Sequence, residues 1–299
     1  MRDVLGSANL LTRRHAAALT SALLAASPNV FSPAKPSHAT TEMPASAVLL
    51  SVIPTMPFGA PATNATLSQD VVRRIEAEAV ALEALGQTGN AKAASLNGTW
   101  RLIYSNAREI TNLASGLPLG FALGPTYQPV DRSSGYFENQ GNVLHALGIA
   151  RASTTVIGDV REAQLGTVNA AGSTSSDGNR IDVDFRRITF ELNELFGRKV
   201  SGVRKIVVPK QAVDAAQPAN DVLFLDSMVR VTRGGDDGIF IFRREDGGGR
   251  RLLSAQERVA LFAEGGNDVL TGKGVAGDDP NAPPELRKLL KGRSAEQPF

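Results

Sequence analysis

Residues 223–243, which read LFLDSMVRVTRGGDDGIFIFR, decide the fold class of this chain. Apolar and polar residues alternate through 223–231, the Gly/Asp cluster 234–238 supplies a turn, and 239–242 return as a strand without a polar face. A strand that is apolar on both sides must be covered on both sides. The stretch therefore predicts a hairpin in the wall of a barrel or sheet, with a helix or a loop over its outer face.

Two charges interrupt the apolar pattern of this hairpin. Asp226 and Arg230 share one strand face with Met228. Four residues along a strand cover about 13 Å, which is too far for a direct contact between carboxylate and guanidinium. We therefore predict that both charges are half-buried and that each has a partner on a neighbouring strand. A structural ion pair and a ligand-binding role are both open for them.

The sequence before the hairpin predicts a helix and then a first strand. Apolar residues at helical spacing run from Val71 to Leu85, after a capping box at 66–69. Residues 96–105, LNGTWRLIYS, alternate with the period of a strand. The apolar face of this strand is predicted to carry Trp100, Leu102 and Tyr104.

Short candidate strands with frequent turns fill the region between this strand and the hairpin, at 127–130, 136–138, 143–150, 154–161, 163–168, 181–192 and 203–208. The absence of helical patterns between them is typical of an antiparallel barrel or sandwich. The apolar phase flips at Arg186–Arg187, which predicts a β-bulge. Eight or nine strands are enough to close a barrel around side chains or a small ligand.

Composition excludes several classes of function. The chain has 299 residues, no cysteine and three histidines, which rules out disulfides and thiolate chemistry and argues against a histidine-built zinc site. Residues 1–41 carry four basic residues against one acidic residue, so the body of the chain is close to neutral. A nucleic-acid-binding surface is therefore not expected. Asp236–Asp237 and Asp278–Asp279 lack the spacing of an EF-hand loop, and neither a metal nor a cofactor is predicted.

The first 66 residues predict targeting rather than fold. Residues 1–39 combine Arg13–Arg14 with a weakly apolar Ala/Leu/Ser run that is too short to span a bilayer, as in organelle transit segments. The paired arginines also fit a twin-arginine export signal, and an accidental pattern in a disordered tail is a third alternative. Residues 40–66, rich in Pro, Ala, Ser and Thr, predict a linker or a second leader segment.

These features together resemble the plastid lipid-associated protein family, the plant and algal fibrillins. The resemblance covers about 68–244 and rests on the helix, on Gly98–Thr–Trp100, on Tyr127–Gln128 and on the final hairpin. Gly-x-Trp alone also occurs in lipocalins. Its combination with the final hairpin makes the resemblance more specific.

The end motif of that family has the form Tyr-Leu-Asp, a strand Arg, Arg-Gly and an apolar return strand. Leu225–Asp226, Arg230 and Arg233–Gly234 take these places here. Phe224 stands where the family usually has tyrosine, so one hydroxyl donor is missing. The resemblance implies a mainly β, lipocalin-like antiparallel barrel in 67–246 with an N-terminal packing helix. In the tail at 247–299, the residues themselves predict two short helices, at 254–262 and 284–291.

The resemblance also implies a plastid address, at plastoglobules or thylakoids, and an association with carotenoids, quinones and other prenyl lipids. It implies no catalytic residues. The residues predicted to bind lipid are Trp100, Tyr104, Tyr127, Gln128, Asp226, Met228 and Arg230. A structural plug is the favoured role of Trp100, and burial with a backbone partner is the commoner role of a tyrosine.

A Gly/Pro-rich loop at 112–125 carries apolar residues, among them Leu117 and Phe121. It predicts either a flap that contacts a lipid surface or a loop buried against the barrel. The whole pattern predicts a non-enzymatic protein that binds prenyl lipids or the surface of galactolipid-bounded particles. The alternatives are a structural coat without a specific ligand and an accessory subunit of a quinone- or carotenoid-metabolising enzyme, with the C-terminal tail open to a protein partner.

Overall fold

A computed structural model describes residues 44–115, 117, 120–208, 218–247, 250–263, 266–268 and 273–275. Its helices are α1 Ala45–Val52, α2 Gln69–Ala84, α3 Arg108–Ala114 and α4 Ala255–Ala263. Its strands are β1 Ala62–Thr63, β2 Gly98–Ser105, β3 Phe121–Asp131, β4 Tyr136–His145, β5 Ala150–Glu162, β6 Arg180–Leu195, β7 Arg198–Lys199, β8 Arg204–Val207, β9 Ala219–Leu225, β10 Val229–Gly234, β11 Ile239–Arg244, β12 Gly266–Asp268 and β13 Lys273–Val275. The predicted leader 1–39 and a tail helix at 284–291 lie outside the described residues.

Eight of the described strands close an antiparallel barrel, which confirms the predicted fold class. They hydrogen-bond in the order β2, β11, β10, β9, β6, β5, β4 and β3, and β3 pairs again with β2. Because the strands alternate in direction, α3 and the turns after β4, β6 and β10 meet at one end of the barrel. That end is called the α3 end below. The opposite end, where β2 begins and Trp100 lies, is called the Trp100 end.

Helix α2 covers the outer face of the last strands, as the apolar return strand requires. Ile75, Ala79 and Leu82 of α2 pack in one cluster with Ile239 and Ile241 of β11. Each isoleucine or leucine that is fully buried there contributes about 1.5–3 kcal/mol to the stability of the fold. The other side of β11 carries Phe240 and Phe242 and faces the barrel interior.

The structure corrects the prediction of a linker for part of 40–66. Residues 45–52 form α1, whose Leu49 is fully buried in the α2 cluster. Residues 62 and 63 add the short strand β1 to the barrel in parallel with the end of β2. The short apolar run 47–53 is therefore a packing helix, since only burial against α2 and the barrel removes its leucines from water.

Five register shifts among the described barrel strands set which side chains face the interior. The bulge predicted at Arg186–Arg187 is confirmed, because Ile157 pairs with Arg187 and the next pair joins Gly158 to Phe185. Similar register shifts leave Ile103 of β2 and Leu223 of β9 without a direct partner. Each extra residue reverses the inward and outward alternation beyond it.

The predicted hairpin is in fact three strands, because Asp226 ends β9 instead of lying within a strand. Its Oδ1 accepts hydrogen bonds from the backbone N–H groups of Met228 at 2.7 Å and Val229 at 2.6 Å. An aspartate that binds the backbone two or three residues ahead forms a turn and competes with the strand ladder. Asp226 is therefore a turn residue, and Met228 lies exposed in the same turn.

The described part of the C-terminal tail docks on the outer face of the barrel. A capping box begins α4, with Ser254 Oγ accepting from the Glu257 N–H at 3.2 Å and Glu257 accepting from the Ser254 N–H at 2.7 Å. Phe262 packs beside Ile157, and its ring lies 4.6 Å from the Arg187 guanidinium. The fully buried carboxylate of Glu138 accepts from the Leu253 N–H at 2.7 Å. The tail thus forms a second outer layer, opposite the one that α2 forms.

Candidate functional site

The barrel encloses a cavity of about 600 Å³. Its wall is made by inward-facing residues of all eight barrel strands, and α3 contributes Ile110 and Leu113 at the α3 end. Most of the lining is aliphatic or aromatic, including Phe137, Phe185 and Phe242. A mostly apolar cavity with a few placed polar groups is the usual form of a small-molecule site.

Arg230 is the charged group at the centre of this site. It lies at the start of β10, is 3 % exposed and lines the cavity. Its Nη2 donates to the side-chain oxygen of Gln128, and its guanidinium lies 4.0 Å from the Phe242 ring centroid and 5.2 Å from that of Trp100. Among the described residues no carboxylate pairs with it. Burial lowers the pKa of Arg230 to about 9, which still leaves a cation at neutral pH.

Several buried polar atoms of the cavity wall have no protein partner. They are Nε of Arg230, Oγ1 of Thr126 and Oγ1 of Thr232. Gln128 is better satisfied, because its Nε2 donates to Asn139 Oδ1 at 2.8 Å. Buried polar groups in folded proteins almost always have partners, so a set of unpaired ones in a single cavity indicates a place for polar atoms of a ligand or for water.

Trp100 closes the end of the barrel opposite α3. Its side chain is fully buried, and its Nε1 donates to the backbone oxygen of Leu96 at 2.8 Å. The guanidinium of Arg244 lies 5.2 Å from its ring. Trp100 packs with Leu102 and Phe242, and only the latter two line the cavity. The plug role is the one that this packing supports.

Tyr104 and Tyr127 do not share the cavity with Arg230. The bulge at Ile103 turns Tyr104 to the outer face, where its hydroxyl donates to Glu76 of α2 at 2.7 Å. Burial, followed by the neighbouring carboxylate, raises the pKa of Tyr104 far above its usual value. Tyr127 precedes the inward-facing Gln128 and lies under the Arg250 guanidinium, 5.0 Å from its ring.

Gln128 and Arg230 are thus the predicted lipid-binding residues that line the cavity, with Trp100 next to them. The period-two pattern could not place Tyr104 inside or outside, because one bulge residue reverses the face. Thr126 and Thr232 were missed, since a lone threonine in a strand gives no signal of its own.

The loop predicted as a flap is described only in part. Leu117 and Phe121 are half-buried, the Leu117 N–H donates to the Phe121 oxygen at 3.3 Å, and the Phe121 ring meets His145 edge-on at 5.2 Å. Before them, α3 places Glu109 at the rim of the cavity, where partial burial raises the pKa of its carboxyl. The connection from β2 to β3 therefore lies over the α3 end of the cavity.

The described part of the chain has neither a cluster of metal ligands nor a membrane-spanning helix. No group of three or more His, Asp or Glu side chains is arranged to hold a metal ion. None of the described helices is long and apolar enough to cross a bilayer.

Comparison with known proteins gives one result. The family model described as PAP_fibrillin matches residues 47–243, which is about two thirds of the chain and includes α1, α2 and the barrel strands. No curated protein and no solved structure matched the chain.

Proposed function

The chain belongs to the PAP/fibrillin family of plastid lipid-associated proteins, and from this premise we propose that its barrel binds the polar end of a prenyl lipid. The protein would act as a non-enzymatic carrier, peripherally associated with the galactolipid-bounded surface of thylakoids or plastoglobules. The observation that carries the proposal is the buried Arg230 cation, which lies in the wall of an apolar cavity and has no carboxylate partner among the described residues.

The chemistry of Arg230 favours a quinone over a hydrocarbon carotene. A buried guanidinium with an unpaired Nε needs an acceptor, and leaving it bare costs several kcal/mol. A quinone carbonyl supplies that acceptor, and the Phe242 ring beside Arg230 offers a surface for stacking. A carotene supplies apolar contacts alone and leaves the guanidinium unsatisfied.

The size of the cavity defines how much of the ligand it holds. A volume of about 600 Å³ accommodates about 20 non-hydrogen atoms at about 30 Å³ for each water-sized group. A quinone ring with its first isoprenoid units fits this volume, and a full-length chain does not. The remainder of the chain would leave past α3, because Ile110 and Leu113 line the α3 end of the cavity with apolar side chains, whereas partly exposed charged residues line the Trp100 end.

The single tryptophan provides the test. Trp100 lies next to Arg230, so a quinone at this site should quench its fluorescence. We expect saturable, stoichiometric quenching by a short-chain prenylquinone, and binding at least about tenfold weaker in Arg230→Met, because one charge-assisted hydrogen bond is worth about 1.5–3 kcal/mol. Quenching titrations and native mass spectrometry measure both.

Arg244→Met is the matched control, because Arg244 lies at the same 5.2 Å from the Trp100 ring but does not line the cavity. It should bind the quinone as the wild type does, with folding checked by circular dichroism. Quenching that rises without saturation, together with bulk lipid in the purified protein, would instead support a coat protein without a specific ligand.

A further inference from the structure

Two neighbouring turns at the α3 end expose large apolar side chains. Leu147, in the turn after β4, is 79 % exposed, and Phe196, in the turn after β6, is 72 % exposed. The Phe196 N–H donates to the Ile149 oxygen at 2.7 Å, so the two turns are held side by side. The Ala146 N–H donates to the Gly120 oxygen at 2.8 Å, which ties them to the connection over the cavity.

Phe196 is placed against its own backbone preference. Leu195 pairs with Arg198, so Phe196 and Gly197 form a two-residue hairpin loop, and both have positive φ, at 49° and 74°. A loop of this kind favours Asn-Gly, and a bulky residue in the left-handed region costs about 1–2 kcal/mol. Because most of the Phe196 side chain is exposed, burial of its ring within the described fold does not offset this backbone cost. Strained backbone positions of this kind cluster at functional sites, where contact with a partner or ligand compensates for the strain.

Basic side chains lie on the strands that adjoin the two turns. Arg151, Arg198 and Lys199 are exposed there, and Glu194 is the carboxylate among them, 3.8 Å from Arg151. Exposed apolar side chains with basic side chains beside them are typical of protein surfaces that bind anionic lipid. The apolar tips enter the interface, and each nearby cation adds about 1 kcal/mol of attraction.

We propose that the two turns form a docking tip, made of residues 145–151 and 194–199, that inserts Leu147 and Phe196 into a bilayer containing anionic lipid. The inference rests on the surface association proposed above and assigns it to one face. It also orients the barrel, because the docking tip lies at the α3 end and would bring the apolar α3 side of the cavity to the membrane. A lipid chain leaving past α3 would then stay in the bilayer.

The opposite end of the barrel provides an internal comparison. Leu165, in the connection from β5 to β6 at the Trp100 end, is 71 % exposed and so equals Phe196 in exposure. It lies in the Gly/Ser/Asp-rich loop 163–179, which carries no Lys or Arg of its own. Val168 of the same loop is 59 % exposed as well, so this end also presents two apolar side chains, but without a basic residue in their own loop. Exposed apolar side chains of this kind are common on proteins.

Vesicle flotation of the full chain tests the docking tip. The vesicles are phosphatidylcholine alone and phosphatidylcholine mixed with phosphatidylglycerol. The double variant Leu147→Ser/Phe196→Asn should bind the mixed vesicles at least about tenfold more weakly, because it removes two apolar insertions. Asparagine suits the left-handed position, so this variant should fold as well as the wild type. Leu165→Ser is the matched control and should float as the wild type does.

A second variant tests the charge. Arg198→Glu/Lys199→Glu should lose the preference for mixed over neutral vesicles, whereas the wild type prefers mixed vesicles and loses that preference at high salt. Equal flotation of Leu147→Ser/Phe196→Asn and wild type would overturn this assignment and leave surface association standing. If the wild type binds neither vesicle, the docking tip fails, while flotation with galactolipid vesicles decides the surface association and Trp100 quenching decides quinone binding.

Discussion

Arg180 and Arg230 are buried to the same 3 % exposure, but their surroundings differ completely. Arg180 donates from Nε and Nη2 to the two oxygens of Asp221 at 2.7 and 2.8 Å, and from Nη1 to the backbone oxygens of Thr167 and Ser173 at 2.9 Å. The hydrogen bonds to Asp221 raise the pKa of Arg180, whereas burial lowers that of Arg230.

The difference separates a structural arginine from a candidate binding arginine. Arg180 clamps the loop between β5 and β6 onto β9 and uses four of its five N–H donors in doing so. Arg230 has one side-chain acceptor, Gln128, and an unpaired Nε beside an open volume. Burial alone therefore does not indicate function. A buried arginine indicates a binding site when its donors outnumber the acceptors that the protein supplies.

The largest expected effect comes from breaking the Arg180 clamp. Asp221→Asn leaves a buried guanidinium without its counter-charge, and we expect a loss of about 3–5 kcal/mol in the free energy of unfolding. Urea denaturation measures it. Asp70→Asn, which removes the partner of Arg73 in a highly exposed ion pair, should change stability by less than about 0.5 kcal/mol. Equal effects of the two substitutions would show that burial does not matter for these pairs.

The opposite substitution sharpens the comparison at Arg230. Arg230→Met replaces an unpaired buried cation by an apolar chain of similar length, so we expect unchanged stability or a gain of up to about 4 kcal/mol. Arg180→Met, measured in the same urea series, should be destabilising because it leaves the half-buried Asp221 carboxylate without its counter-charge. A large loss of stability in Arg230→Met would make Arg230 structural as well.

The smallest effect is a pH dependence. The folded pKa of Arg230 is about 9 and the ordinary value is 12.5, so the folded state releases this proton first as pH rises. The free energy of unfolding of the wild type, relative to that of Arg230→Met, should therefore increase above about pH 9. The increase is at most about 1.4 kcal/mol per pH unit. The difference in unfolding free energy between wild type and Arg230→Met isolates this group. A difference that stays constant from neutral to alkaline pH would contradict it.

Local patterns were sufficient for much of the fold. The all-apolar return strand 239–242 required cover on both sides, and α2 and the cavity wall provide it. The phase flip at Arg186–Arg187 located a bulge, and the short strands indicated a barrel. These features follow from alternation and turn chemistry, which act over a few residues.

The site depended on contacts between residues far apart in the chain. Arg230 and Gln128 were both named from the sequence, but only closure of the barrel brings them together across 102 positions. The bulge at Ile103 moved Tyr104 out of the interior, and the Asp226 carboxylate bound its own turn. The exposure of Leu147 and Phe196 also became visible only in the structure, since nothing in their local sequence says which strand ends meet.

The sequence by itself determined a mainly β barrel with a helix on its outer face, because hydrophobic alternation and burial are local requirements. The tertiary structure alone decided which charges are satisfied. Register and bulges bring donors and acceptors from distant strands together, and that pairing left Arg180 closed and Arg230 open to a ligand.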